Sequence, residues 1–179
     1  MQKKLLQKGF TLIELLIVIA IVAILAGVVF VALDPLNRFR DARDSARWTD
    51  VTAVLSAIRV AQVDKGGTYV YGIRHDAAKA TGSAYLIVTG TTTTDSAACT
   101  DDDAVTTAGA CKVSLAGCAE MTQLASRGYL GRVPTSSNGT FSWSTQSRGT
   151  GYYVRLNANN SVTVGSCEAE NAADISVTR

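Results

Sequence analysis

The hydropathy pattern contains one uninterrupted apolar segment near the beginning of the chain. The 24 residues from Phe10 to Leu33 include only two polar side chains, Thr11 and Glu14. An apolar run of about 18 residues or more is long enough to cross a bilayer as a helix. Insertion energies summed over its Leu, Ile, Val and Phe residues reach roughly −5 to −10 kcal/mol, which is an upper bound. The pattern therefore predicts a transmembrane helix at residues 10–33.

A weaker helical pattern continues through residues 34–65. Apolar side chains recur there at spacings of three and four residues, and a glycine pair at 66–67 supplies a stop signal. We expect a helix from Phe10 to Asp64, roughly 80 Å long if it is unbroken, with 34–65 as its amphipathic continuation. Pro35 should kink or bend this helix, because proline removes one helix hydrogen bond.

Charges alternate in sign along the first part of this continuation. Four oppositely charged pairs have helical spacing: Arg38–Asp41, Arg40–Asp44, Asp44–Arg47 and Arg47–Asp50. Two interpretations remain open. The charges form a solvated helix face, or they pair between neighbouring subunits of an assembly.

Residues 66–179 are rich in Thr, Ser, Gly, Ala and Asn and predict a separate globular domain. Period-two alternation and turn residues indicate short strands, and a helical spacing from Cys118 to Ala125, closed by Gly128, indicates one short helix. The predicted strands are Ala84–Thr89, Thr140–Thr145, Tyr152–Leu156 and Ser161–Val164, with a hairpin turn at Asn157–Asn160. The expected fold class is α+β, with the long helix packed on a small antiparallel sheet.

The charge distribution orients the apolar segment. The first nine residues carry three lysines and no acidic residue, although the net charge of the whole chain is only +2. A positive excess before a transmembrane helix holds that end in the cytoplasm. The small net charge gives no indication of a polyanionic partner.

Four cysteines, Cys99, Cys111, Cys118 and Cys167, all lie in the distal domain. An even number on the translocated side indicates disulfides, although four reduced, buried cysteines are the alternative. We favour Cys99–Cys111, which closes a Thr/Asp-rich loop, together with Cys118–Cys167. The second choice is Cys111–Cys167 with Cys99–Cys118.

The sequence contains no convincing catalytic, metal or cofactor motif. His75, the one histidine, is not accompanied by a nucleophile elbow. Asp101–Asp103 lacks EF-hand spacing, so a solvated acidic turn is favoured over a calcium site. No C-x-x-C pair suggests zinc. We therefore expect neither enzymatic activity nor a cofactor.

The junction before the apolar segment distinguishes three kinds of N-terminus. The segment is too long for a cleaved secretory signal, and Val31-Ala32-Leu33 is a poor cleavage site. A plain membrane anchor would give Glu14 no role. The third possibility is cleavage after Gly9, and here the stretch "KGFTLIELLIVIAIVAIL" resembles the N-terminal signature of type IV pilins and type II secretion pseudopilins. The resemblance is strong over residues 1–33 and weaker over 34–70.

That resemblance implies a sequence of processing and assembly. Residues 1–9 would be a leader peptide, removed by a prepilin peptidase that cuts between Gly9 and Phe10 and then N-methylates Phe10. Glu14 would pair with the amine of a neighbouring subunit during assembly. The implied partners are this peptidase/methyltransferase, identical or related pilin subunits, an inner-membrane assembly platform and, before assembly, the lipid bilayer.

The implied product is a filament built by helix packing, with the chain first a single-pass inner-membrane protein and later part of an extracellular or periplasmic fibre. The leading hypothesis is a type IV pilus subunit. A type II secretion pseudopilin is the alternative, because "DVTAVLSAI" and "DKGGTY" also resemble the major pseudopilin. A minor or tip subunit that binds DNA or a surface is a third hypothesis.

Overall fold

The structure is a computed structural model that describes residues 9–64, 81–89, 111–137, 143 and 149–179. The chain divides into two compact units between Phe39 and Arg40. The helices and strands of the described ranges are α1 Leu12–Leu33, α2 Pro35–Asp64, β1 Ala84–Val88, β2 Leu115–Glu120, α3 Thr122–Ser126, β3 Gly149–Leu156, β4 Val162–Ser166 and β5 Ser176–Thr178. The predicted α+β class is confirmed.

Helix α1, in the first unit, is apolar on every side. It has 22 residues, none of which is buried, and at about 1.5 Å per residue it is long enough for a bilayer core of about 30 Å. The described residues contain one helical stretch long and apolar enough to cross a membrane, and α1 supplies its apolar part. A surface helix of a soluble protein would instead have a polar face.

The helical stretch extends from Leu12 to Asp64, so it begins two residues later than predicted, and it is interrupted at Asp34. Asp34 adopts a left-handed backbone conformation with φ 38° and ψ 70°, and its carboxylate accepts a hydrogen bond from the Asn37 side chain. Pro35 is the first residue of α2, where its missing N–H removes no helix hydrogen bond. A proline ring also disfavours helical geometry in the residue before it, which accounts for the interruption.

The second unit contains a five-stranded sheet in the order β2-β1-β3-β4-β5. Strands β1 and β3, β3 and β4, and β4 and β5 pair antiparallel, whereas β1 and β2 pair parallel. The sheet is therefore mostly antiparallel. The parallel pair was not predicted, because parallel neighbours require a long connection and leave no hairpin signal in the sequence.

Two local predictions have different outcomes. The hairpin turn at Asn157–Asn160 is confirmed, since the Asn157 N–H donates to the Ser161 carbonyl at 2.8 Å. The predicted helix was too long, because Cys118 belongs to β2 and α3 covers only Thr122–Ser126. Several features of the sequence lie wholly or mostly outside the described residues: the glycine pair at 66–67, His75, Cys99, Asp101–Asp103 and the strand predicted at 140–145, of which Trp143 alone is described.

The main core lies between α2 and one face of the sheet. Residues Val51, Leu55 and Ile58 form a buried stripe on α2. From the sheet, Tyr152 and Val154 of β3 face this stripe, and the Tyr152 hydroxyl donates to Asp50 at 2.6 Å. The opposite face of the sheet carries a second cluster, made up of Ala84, Leu86, Cys118, Trp143, Tyr153 and Cys167. Both sheet faces are thus covered, and α2 is held by its apolar stripe.

Gly151 on β3 is fixed by two independent constraints. Its φ of +77° is unfavourable for any residue with a side chain, and a Cβ there would lie 2.7 Å from the Ser136 Cβ. The Trp143 Nε1 atom would be 2.8 Å away. Gly82 has a comparable φ of +90°, but a Cβ there would meet nothing within 4 Å.

This contrast gives a matched pair of substitutions. Gly151→Ala should lower the free energy of unfolding by about 3 kcal/mol, because it adds a steric clash to backbone strain. Gly82→Ala should lower it by about 1 kcal/mol through backbone strain alone. Urea unfolding of the full chain in detergent micelles, followed by tryptophan fluorescence, measures both values. Equal losses in the two variants would contradict the close packing at Gly151.

Candidate functional site

The Gly9–Phe10 peptide bond precedes the first helix. Since α1 begins at Leu12, neither residue is helical, and the Phe10 side chain is 85% exposed. A Cβ at Gly9 would meet nothing within 4 Å. In the described part of the chain, therefore, no neighbouring atom requires glycine at this position. The bond is sterically open to another molecule, and a missing side chain makes its approach easier.

Thr11 and Glu14 form a reciprocal cap at the beginning of α1. The Glu14 N–H donates to the Thr11 hydroxyl at 3.3 Å. In return, the Glu14 carboxylate accepts the Thr11 N–H at 2.9 Å and the Thr11 hydroxyl at 2.7 Å. This is a capping box, which satisfies backbone N–H groups left open at a helix start. The Thr-x-x-Glu spacing is the sequence signal for this cap, whereas the role expected for Glu14 rested on its charge alone.

The cap leaves part of the carboxylate available. Both hydrogen bonds that Glu14 accepts reach its Oε2 atom. Among the contacts of the described residues, Oε1 therefore has room for a further donor. A carboxylate can accept several hydrogen bonds at once, so a cationic partner would not have to break the cap.

Comparison with known families identifies this N-terminal segment. Residues 4–30 match a family model described as the prokaryotic N-terminal methylation motif. The chain carries this methylation motif. It is the signature of type IV pilins and pseudopilins, so the resemblance inferred from the sequence is confirmed. No curated protein and no solved structure matched the chain.

The methylation motif limits the function to a class. It supports a type IV pilin-like or pseudopilin protein, and it belongs to structural proteins, not to an enzyme family. Together with the apolar α1, it fits a membrane-anchored protein. Within the described residues, no group of three or more His, Cys, Asp or Glu is placed to hold a metal ion.

A second polar cluster surrounds Arg47 on α2, in the second unit. The Arg47 side chain is fully buried and forms ion pairs with Asp44 at 2.7 Å and Glu170 at 2.9 Å. Its remaining N–H groups donate to the Ser136 hydroxyl and the Ser137 carbonyl, each at 3.0 Å. The guanidinium is thus satisfied within its own chain.

Asp44 binds the backbone of the segment that follows β4. Its carboxylate accepts the N–H groups of Glu170, Asn171 and Ala172 at 2.8–3.1 Å. Burial raises the pKa of Asp44, but these backbone donors and Arg47 outweigh burial and hold the pKa below its usual value. The pKa of Glu170 is also lowered, chiefly by its hydrogen bonds with Arg43.

These contacts change the interpretation of the alternating charges. The pair Asp44–Arg47 does form, but it is buried against residues 168–172 of the same chain. For these two residues, both the solvated face and the pairing between subunits were wrong. The signal that could have indicated burial is the apolar spacing, since Arg47 is followed at i+4 by the buried Val51.

The disulfide prediction needs a correction. Cys111 is bonded to Cys167, a pair that belonged to our second choice, so the favoured pairs Cys99–Cys111 and Cys118–Cys167 were wrong. Cys118 is also disulfide-bonded. Loop length guided the prediction, whereas the tertiary fold decides the pairing: the segment before β2 packs on the sheet face that carries Cys167, and the Cα atoms of Cys111 and Cys167 are 4.1 Å apart. The Lys112 N–H donates to the Cys167 carbonyl at 3.1 Å and reinforces this connection.

Proposed function

We propose that the chain is a structural subunit of a type IV pilus or pilus-like filament, which polymerises through residues 10–33 after processing. The observation that carries this proposal is the methylation motif joined to a helix with no buried residue. An apolar helix that no described residue of its own chain covers requires lipid or other helices around it. Lipid before assembly and neighbouring subunits afterwards meet that requirement in turn.

The membrane stage follows from charge and burial. The leader lysines hold the N-terminus at the cytoplasmic surface, where anionic lipids attract them. A prepilin peptidase then removes residues 1–9 and methylates Phe10, and an inner-membrane assembly platform receives the mature subunit. The second unit lies on the other side of the bilayer, in an oxidising compartment that permits the Cys111–Cys167 disulfide.

The assembly stage depends on Glu14. Cleavage creates a cationic amine at Phe10, and the open Oε1 of a neighbouring Glu14 can accept it without loss of the Thr11 cap. In a medium of low dielectric constant, this attraction is large at short range. A subunit that is displaced along the filament axis leaves both charges unpaired, so the contact sets the axial register of the filament.

A pseudopilus of a secretion system is the second candidate. The resemblance of Asp50–Ile58 to the major pseudopilin favours it. The Cys111–Cys167 disulfide is compatible with both candidates, because the periplasm and the cell exterior are both oxidising. Deletion of the gene distinguishes them: loss of surface fibres with normal protein secretion supports the pilus, and the reverse result supports the pseudopilus.

Processing gives a direct test of the proposal. Removal of the first nine of 179 residues should leave a mature chain of 170 residues that begins with N-methylated Phe10. Intact-mass spectrometry of purified filaments measures this. In Gly9→Leu the leader should remain, because a bulky side chain blocks approach to the bond. Gly27→Leu, a matched change inside α1, should be cleaved normally. A mature protein that begins at Met1 or beyond Leu33 would rule out this processing.

A further inference from the structure

A pocket with a mixed polar and apolar lining, to which Leu115 and Ala116 also contribute, lies at the start of the parallel strand pair, distant in sequence from the methylation motif. Its volume is about 490 Å³, and its lining includes Gly82, Ser83, Ala84, Val113, Ser114 and Arg155. This volume falls in the range of about 300–1,000 Å³ that is typical of small-molecule sites. Arg155 is the one charged residue among the described residues that line the pocket.

Sheet geometry directs Arg155 to this pocket. On β3, the neighbouring Val154 and Leu156 are buried against α2, so Arg155 shares the opposite face with Tyr153. Arg155 is paired in the ladder with Ala84 of β1, and Ala84 is paired with Leu115 of β2. The small side chain of Ala84 leaves space between the arginine and the β2 edge. The long aliphatic part of the Arg155 side chain can cross this space.

The hydrogen bonding of Arg155 is incomplete. Its Nε atom is buried, and it has no hydrogen-bond partner among the residues that the structure describes. A buried donor without a partner costs about 1–3 kcal/mol, and this chain satisfies the guanidinium of Arg47 at every nitrogen. No acidic side chain lines the pocket among the residues that the structure describes. An external acceptor would complete the site.

We propose that the Arg155 pocket binds an oxyanion, either a carboxylate or a phosphate group, on a small molecule or glycan. A guanidinium presents paired N–H donors in a fork that matches both groups. Ser83 and Ser114 add hydroxyl groups to the lining. The proposal does not depend on filament assembly. On a filament, repeated copies would add many weak contacts to one extended ligand.

The test uses the full chain in detergent micelles, labelled with 15N-arginine. Inorganic phosphate and glucuronate are titrated separately, and the Nε–H resonances of the arginines are followed by NMR. One resonance, which is missing from the spectrum of Arg155→Lys, should shift as ligand is added until the site is saturated. A response to phosphate alone identifies phosphate as the source of the oxyanion, and a response to glucuronate alone identifies a carboxylate.

Variants distinguish specific binding at the Arg155 pocket from nonspecific electrostatic attraction. Arg155→Gln should weaken binding, measured by calorimetry, about tenfold or more, since charged hydrogen bonds are lost. Arg132→Gln makes the same charge change at an exposed position and should bind normally. Ser114→Leu, also at an exposed position, should obstruct the pocket without removing the charge. Absence of saturation in the wild type, equal weakening in both arginine→Gln variants, or unchanged binding in Ser114→Leu would overturn the proposal.

Discussion

Glu14→Leu should abolish filament assembly or reduce it severely, while membrane insertion and cleavage after Gly9 continue. Leucine makes the apolar segment more hydrophobic, so insertion is not impaired. The neighbouring Phe10 amine, however, loses its anionic partner in a medium where an unpaired charge is costly. Blots of membrane fractions measure insertion and cleavage, and electron microscopy counts the fibres. Filaments of normal number and length would show that the charge has no role in assembly.

Two further variants separate the assembly role from the helix cap. Thr11→Val removes the hydroxyl that binds Glu14 but keeps the carboxylate. It should weaken the helix start by about 1 kcal/mol and reduce assembly only in part. Glu14→Gln keeps the shape and the capping acceptor but loses the charge. If Glu14→Gln assembles normally and Thr11→Val does not, the helix cap is the functional element. The hypothesis that a charge pair between Glu14 and the Phe10 amine sets the axial register is then wrong.

Arg47→Met should destabilise the second unit by about 3–5 kcal/mol, because removal of one partner leaves buried charges uncompensated. The carboxylates of Asp44 and Glu170 would then face each other without the guanidinium between them. Arg59→Met, on the same helix and only half-buried, is the matched control and should cost less than about 1 kcal/mol. Urea unfolding of the full chain in micelles gives both values.

The same cluster predicts a pH dependence. The pKa values of Asp44 and Glu170 are lowered in the folded state, so their contribution to stability is complete above the pKa values of the unfolded chain. It is lost as the pH falls through the lower, folded pKa values. Wild-type protein should therefore lose stability as the pH falls below the ordinary carboxylate range of about pH 4, and Arg47→Met should lose less. An equal loss in both proteins would contradict the role of Arg47.

The sequence was most informative where one signal dominated. The apolar run of α1 and the Lys8–Glu14 motif are each readable within a short stretch of sequence, and the structure and the family comparison agree with both. The turn at Asn157–Asn160 was also predictable, because Asn tolerates the left-handed conformation that Asn160 adopts at φ 62°. In each case the decisive information lies within a few consecutive residues.

Contacts between distant residues could not be predicted in the same way. Arg47 looked like a solvent-exposed charge, since its partners Ser136 and Glu170 lie about 90 or more residues away in sequence. The pairing Cys111–Cys167 depends on the packing of the segment before β2 against the sheet face that carries Cys167. The pocket at Arg155 depends on the parallel arrangement of β1 and β2. None of these leaves a local pattern.

The order of strands in the sheet also determines when this protein can fold. The apolar stripe of α2 is covered by β1, β3 and β4, and β3 lies at the centre of the sheet. Chains are made from the N-terminus onwards, so α2 is complete long before Gly149–Leu156 has been synthesised. Val51, Leu55 and Ile58 therefore stay uncovered during most of synthesis and export. Such a non-local topology folds slowly, and during that delay the exposed stripe is the part of the second unit most prone to aggregation, or most in need of a chaperone.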